Sequence, residues 1–177
     1  MHQLVTLLLL LPTLTGELIL FDFSSKANTN GWSIVDDRVM GGRSQGYLAL
    51  NNEGHALFSG DVSLENNGGF SSLRYQFDTQ NVRGYSTASI RLKGDGKRYQ
   101  FRVKSSSSDY HSYIYYFETS GKWQTIDIPL AEMTPSFRGR TLDIPNYEGG
   151  TMEEVAFLIA NYKAESFALE IDNIILK

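Results

Sequence analysis

Apolar and polar residues alternate along most of this chain. In Ala88-Ser89-Ile90-Arg91-Leu92-Lys93 and again in Tyr99-Gln100-Phe101-Arg102-Val103-Lys104 every second residue is apolar. A period of two places successive side chains on opposite faces of a strand. Similar runs lie at Leu18–Phe23, Tyr47–Leu50, Ala56–Leu64, Ser71–Phe77, Ser112–Phe117, Trp123–Ile128, Val155–Ala160 and Phe167–Leu176. Turn-forming clusters such as Asn51-Asn52-Glu53-Gly54 and Asn66-Asn67-Gly68-Gly69 separate them. No window holds a helical period, and only Leu130–Met133 and Met152–Glu154 have room for one turn. Many short strands with regular turn signals predict an all-β, antiparallel sandwich or barrel. Gly94-Asp95-Gly96-Lys97, lying between two alternating runs, predicts a hairpin.

Alternation also assigns faces. With Ile90, Leu92, Phe101 and Val103 turned inward, Arg91 and Arg102 point outward together, and Arg74 takes the same phase between Leu73 and Tyr75. Three arginines on neighbouring strands would form a basic face, with Tyr113 and Tyr115 as nearby rings. The guanidinium fork suits carboxylates, ring faces and sugar hydroxyls. Such a face is the candidate ligand or partner surface. The plainer reading is a solvated outer face with interspersed charges.

Composition narrows the classes. The 177 residues suit one domain with its own core, and there is no Cys to supply a disulfide, a thiolate metal site or a thiol nucleophile. Sixteen Lys and Arg against twenty Asp and Glu leave a net charge of −4, which argues against a general nucleic-acid binder. The run Leu4–Leu11, followed by Pro12 to Gly16, is too short to span a bilayer and has the length of an export signal's apolar region, although no Lys or Arg precedes it. Residues 1–16 are therefore read as a signal peptide and 17–177 as one domain without a transmembrane segment. That places the chain in the periplasm or medium. If the apolar run is instead an upstream extension of the first strand, the chain is cytoplasmic and near the membrane.

Candidate chemistry is sparse. Gly42-Arg43-Ser44-Gln45-Gly46 matches the Gly-x-Ser-x-Gly elbow of serine hydrolases, but that mechanism needs a strand before the serine and a helix after it. Here Tyr47–Leu50 continues as a strand, which favours a plain glycine-rich turn. Three histidines offer no metal-binding pair. Asp22 and Asp172 are the candidate ligands of a structural calcium ion, the one cofactor considered. No catalytic residue is assigned, and the chain is expected not to be an enzyme.

Two stretches are denser than turn chemistry requires: Trp32-Ser33-Ile34-Val35-Asp36-Asp37-Arg38-Val39-Met40-Gly41-Gly42-Arg43-Ser44-Gln45-Gly46, and Phe58 to Arg74 with Asn66-Asn67-Gly68-Gly69-Phe70 at its centre. They resemble the two signature blocks of the complex I intermediate-associated protein 30 family. Lys93–Tyr99, Trp123 with Ile128-Pro129, and Phe137-Arg138-Gly139-Arg140 resemble its later blocks in order, so the likeness runs from Phe21 to Ile175. The pattern is that of the stand-alone bacterial members. The resemblance implies a galactose-binding-like β-sandwich of jelly-roll type, similar to β-glucan-binding modules. It also implies a non-catalytic role resembling assembly factors of respiratory complex I (NADH:ubiquinone oxidoreductase), which hold a protein partner. The alternative is an exported carbohydrate-binding module that recognises β-glucan or cell-wall glycan on the arginine face. In the signature loops, Gly41, Gly42, Gly68 and Gly69 are expected to serve tight turns or close approaches, and Asp36 and Asn66 to bond neighbouring amides. Met40, Ser44 and Phe70 complete the set of signature residues.

Overall fold

The computed structural model of the protein describes residues 16–177. The candidate signal peptide, apart from Gly16, lies outside the described residues. Two antiparallel sheets face each other. The first is ordered β3 (Gln45–Leu50), β4 (Ala56–Val62), β13 (Glu165–Leu176), β6 (Thr87–Lys93) and β9 (Trp123–Pro129), with β1 (Leu18–Asp22) also paired to β13. The second is ordered β11 (Arg140–Thr141), β10 (Thr134–Phe137), β8 (Ser112–Glu118), β7 (Arg98–Lys104), β12 (Thr151–Ile159), β5 (Ser71–Asn81) and β2 (Trp32–Asp36). The alternating runs send one phase into the space between the sheets. Phe58, Ile90, Leu92 and Ile174 from the first sheet meet Leu73, Phe101 and Phe157 from the second, all fully buried. Burying a side chain of this size stabilises the fold by about 1.5–3 kcal/mol.

The predicted hairpin does not form. β6 pairs with β13 and β9, whereas β7 pairs with β12 and β8 in the other sheet. Gly94-Asp95-Gly96-Lys97 is a crossing between sheets, held by Asp95. Its carboxylate accepts from the Ala168 amide on β13 at 3.0 Å, the Tyr99 hydroxyl on β7 at 3.0 Å and Lys97 Nζ at 2.7 Å. Turn-forming residues serve a sheet-to-sheet crossing as well as a hairpin, and a contact with residue 168 has no local signal.

Of the two segments with room for a helical turn, Leu130–Glu132 forms one 3-10 turn. Met152–Glu154 is instead part of β12, at a bulge opposite β5, with Met152 buried in the core. Two more 3-10 turns, Asp37–Met40 and Glu65–Asn67, occupy the dense stretches. Among the described residues no helix is long and apolar enough to cross a membrane.

Candidate functional site

The dense stretches are built around one buried carboxylate. Asp37 is fully buried and accepts from the Ser44 hydroxyl, the Ser44 amide at 2.9 Å, the Gly69 amide at 2.6 Å and the Phe70 amide at 3.2 Å. Burial alone would raise its pKa, but these hydrogen bonds outweigh it and hold the carboxyl below the usual aspartate range. The neighbouring Asp36 accepts from the Gly46 amide at 3.0 Å and the Ser71 hydroxyl at 2.6 Å, and Asn66 donates to the Gly41 carbonyl at 3.1 Å. Gly42 and Gly68 leave the space the Asp37 carboxylate fills, and Gly41 closes its 3-10 turn at a φ of +87°. Asp36 and Asn66 thus tie one signature loop to the other. The central acceptor, Asp37, carries little sequence signal beyond its adjacency to Asp36 ahead of Gly41-Gly42.

Ser44 is therefore a buried structural hydroxyl that also accepts from the Ser63 amide at 2.9 Å. Neither of the two described histidines is placed against it: His55 packs on Trp123 and His111 between Tyr110 and Tyr113.

The pinned loops wall a groove of about 470 Å³ on the outer face of the second sheet. Its floor is built on residues in register across four strands, with the small Ala156 and Ser72 buried among them. Arg74, Ala156, Arg102 and Ile114 form one rank across β5, β12, β7 and β8, and Ser72, Leu158, Gln100 and Tyr116 form the next. Met40, Leu64 and Asn67–Phe70 stand on the β5 side, with Tyr110, Ser136 and the turn Phe137–Gly139 on the β8–β10 side and Tyr162 at the rim. Tyr110, Tyr116, Phe137 and Tyr162 are open to solvent, from 37% exposed at Phe137 to 83% at Tyr162, and Phe70 is half-buried. Arg102 donates twice to Gln100 Oε1, at 2.9 and 2.6 Å. Burial and then the like charge of Arg74 pull its guanidinium down to about 10.

Three of the expected face residues lie elsewhere. Arg91 is on β6, in the other sheet, where it pairs with Asp172 at 3.1 Å and covers the Trp123 ring at 5.3 Å. The expectation of a shared face rested on the hairpin that does not form. Tyr113 and Tyr115 pair in register with Val103 and Phe101, so they turn toward the core. Tyr116 is the ring β8 offers to the groove. The run Ser112–Glu118 is aromatic in both phases, which hid this. The phase that begins at Ser112 and ends at Glu118 is polar at both ends, and that was the signal for the outward one.

The two calcium candidates sit on paired strands, Asp22 opposite Asn173. Asp172 is held by Arg91, whereas Asp22 lines a second depression of about 560 Å³ with Asn28, Tyr75 and Asp78. Among the described residues, no three metal-ligating side chains gather.

Comparison with known proteins adds to this geometry. The model of the family described as Complex I intermediate-associated protein 30 matches residues 21–171. The chain belongs to that family. A curated member, "Complex I intermediate-associated protein 30, mitochondrial" of Mus musculus, is 22% identical over 87% of this chain. The chain spans 54% of that relative, about half its length. Among solved structures, the family 11 carbohydrate-binding module of Clostridium thermocellum, in complex with a β-1,3-1,4-mixed-linked tetrasaccharide, superposes with a TM-score of 0.64. It is 19% identical and matched over 91% of this chain and 95% of its own. The agarase AgWH50C superposes with a TM-score of 0.58 at 14% identity, over 92% of this chain and 24% of its own. These likenesses show the fold, a galactose-binding-like β-sandwich.

Proposed function

We propose that this protein is a non-catalytic binding domain that holds a protein partner in the groove, as an assembly factor of the respiratory complex I type. One observation carries the reading: the dense stretches of the family resemblance contribute residues to the groove wall and floor. Met40, Gly68, Gly69, Phe70 and Arg74 all face it. A buried hydrogen-bond network then holds these loops rigid, and preorganised surfaces bind at lower entropic cost. The exposed Met, Phe, Tyr and Arg side chains are the types enriched in protein interfaces and their hot spots. The name of the mouse relative supplies the kind of partner, an intermediate of complex I. A photo-crosslinking amino acid placed at Tyr162 in the native host tests this. Adducts with subunits of NADH:ubiquinone oxidoreductase are expected. A respiring host that yields none of them would sink the reading.

A second reading rests on the rings. Tyr110, Tyr116, Phe137 and Tyr162 stand beside Gln100, Arg102, Ser112 and Ser136, a mixture of ring faces and hydrogen-bonding groups suited to sugars. If residues 1–16 direct export, a cell-wall glycan is the partner within reach. Calorimetry against soluble mixed-linked β-glucan and cell-wall fragments is the test, with Tyr116→Ala as control. Absence of heat at millimolar sites rejects it.

A further inference from the structure

We infer that Arg74 and Arg102 form a carboxylate-binding subsite in the groove floor, which takes an Asp or Glu side chain from an apolar-flanked segment of the partner. This inference rests on the protein-partner reading above. The two arginines lie in register on either side of Ala156. Two strand spacings put their backbones roughly 10 Å apart, and both arginines line the groove, with Ala156 buried between them. Neither guanidinium stands within ion-pair distance of a carboxylate among the described residues. Among the described residues Arg102 donates only to Gln100, a neutral acceptor, through Nε and one terminal nitrogen. Glu154 lies two residues along β12 from Ala156, but its carboxylate accepts from Gln76 at 2.9 Å. Lys104, on the same face of β7, donates to the Asp109 carbonyl at 2.7 Å and adds a further positive charge. The floor is thus cationic in a protein whose net charge is −4. A carboxylate between the guanidiniums would relieve their repulsion and match the fork geometry of arginine.

The surroundings favour a peptide over a sugar. Ile114, Leu158, Ala160, Met40 and Leu64 are aliphatic and flank the arginines, which suits apolar side chains next to an acidic one. The strands β5, β12, β7 and β8 are all interior to their sheet, so their backbones are paired on both sides. Recognition therefore runs through side chains and not through strand addition.

The test uses a capped leucyl-phenylalanyl-glutamyl-leucine peptide and its glutaminyl counterpart, titrated into the labelled protein while the arginine Nε–H resonances are followed. Saturable shifts at Arg74 and Arg102 are expected, with the glutamyl peptide about tenfold tighter than the glutaminyl one, as a charge-assisted contact implies. Arg74→Gln and Arg102→Gln should each abolish that preference. Because Arg102 is partly buried, its variant counts only with an unchanged backbone spectrum; Arg74→Gln tests the subsite independently. Equal affinity for the two peptides, or no binding of either at millimolar concentration, overturns the proposal. So do equal shifts with chloride, which would mark an adventitious ion only. Oligogalacturonate that binds more tightly than the glutamyl peptide also overturns it, and makes the occupant an acidic glycan. The two readings fail separately. Crosslinks at Tyr162 that persist undiminished in the Arg74→Gln, Arg102→Gln double variant sink the subsite and leave the protein-partner reading standing. Glutamyl-selective binding without respiratory adducts does the reverse.

Discussion

The Asp37 carboxylate occupies the volume that a side chain on Gly68 would need: a Cβ there would stand 2.5 Å from Oδ2. The contact joins two loops more than thirty residues apart in sequence and leaves the loop no slack. Gly68→Ala should therefore displace a buried acceptor as well as crowd it. A loss of about 1–3 kcal/mol, the usual cost of overpacking, is expected in urea denaturation. A variant as stable as the parent would show that the loop relaxes freely.

Acid should expose the same hub. Folded Asp37 and Asp95 both hold their protons less tightly than an ordinary aspartate. Their stabilisation is complete above the unfolded value near pH 4 and is lost as the pH falls through the lower folded values. The urea midpoint should drop below about pH 4, and Asp37→Asn should flatten that fall. At neutral pH the Asn variant should cost about 1–3 kcal/mol, because it weakens bonds to buried donors.

Much of the fold was legible because alternation reports faces. Ile90, Leu92, Phe101 and Val103 all lie in the core, as their phase predicts. Pairing was not legible. The residues Gly94 to Lys97 satisfy hairpin chemistry, yet they carry the chain from β6 in one sheet to β7 in the other, and Asp95 ties that crossing to Ala168 on β13. The site followed suit. Arg74 and Arg102 meet through β12, a strand that comes some fifty residues after Arg102 and carries only Ala156 between them. Arg91 lies apart from them because residues 94–97 connect its strand to β7 without pairing the two.

Alkali probes the other end of the Asp95 network. Burial, with the Asp95 charge next, raises the Tyr99 phenol far above the ordinary tyrosine value, and burial does the same at Tyr147. A phenol whose folded pKa is raised stabilises the fold fully below the unfolded value near 10, and that contribution is lost as pH climbs toward the folded value. In an ultraviolet phenolate titration, the steps removed by Tyr99→Phe and Tyr147→Phe should appear only together with loss of the β-sheet signal. Phenolate formation at either site in the folded protein would contradict the burial.

Substitutions on the two sheet faces should separate binding from stability. Tyr110→Ala and Tyr116→Ala remove exposed groove rings, so they should weaken partner crosslinking from position 162 while shifting stability by less than about 0.5 kcal/mol. Arg91→Ala, on the opposite sheet, should leave partner capture unchanged. Equal loss from Arg91→Ala and Tyr116→Ala would move the binding face away from the groove.

The position of β12 has a consequence for synthesis. It enters between β7 and β5 and supplies the middle of the groove floor from residues 151–159. A chain still on the ribosome with fewer than 150 residues emerged carries both arginines, yet on strands that are not neighbours. No groove exists at that stage. The groove arrives late and all at once, when the penultimate strand inserts.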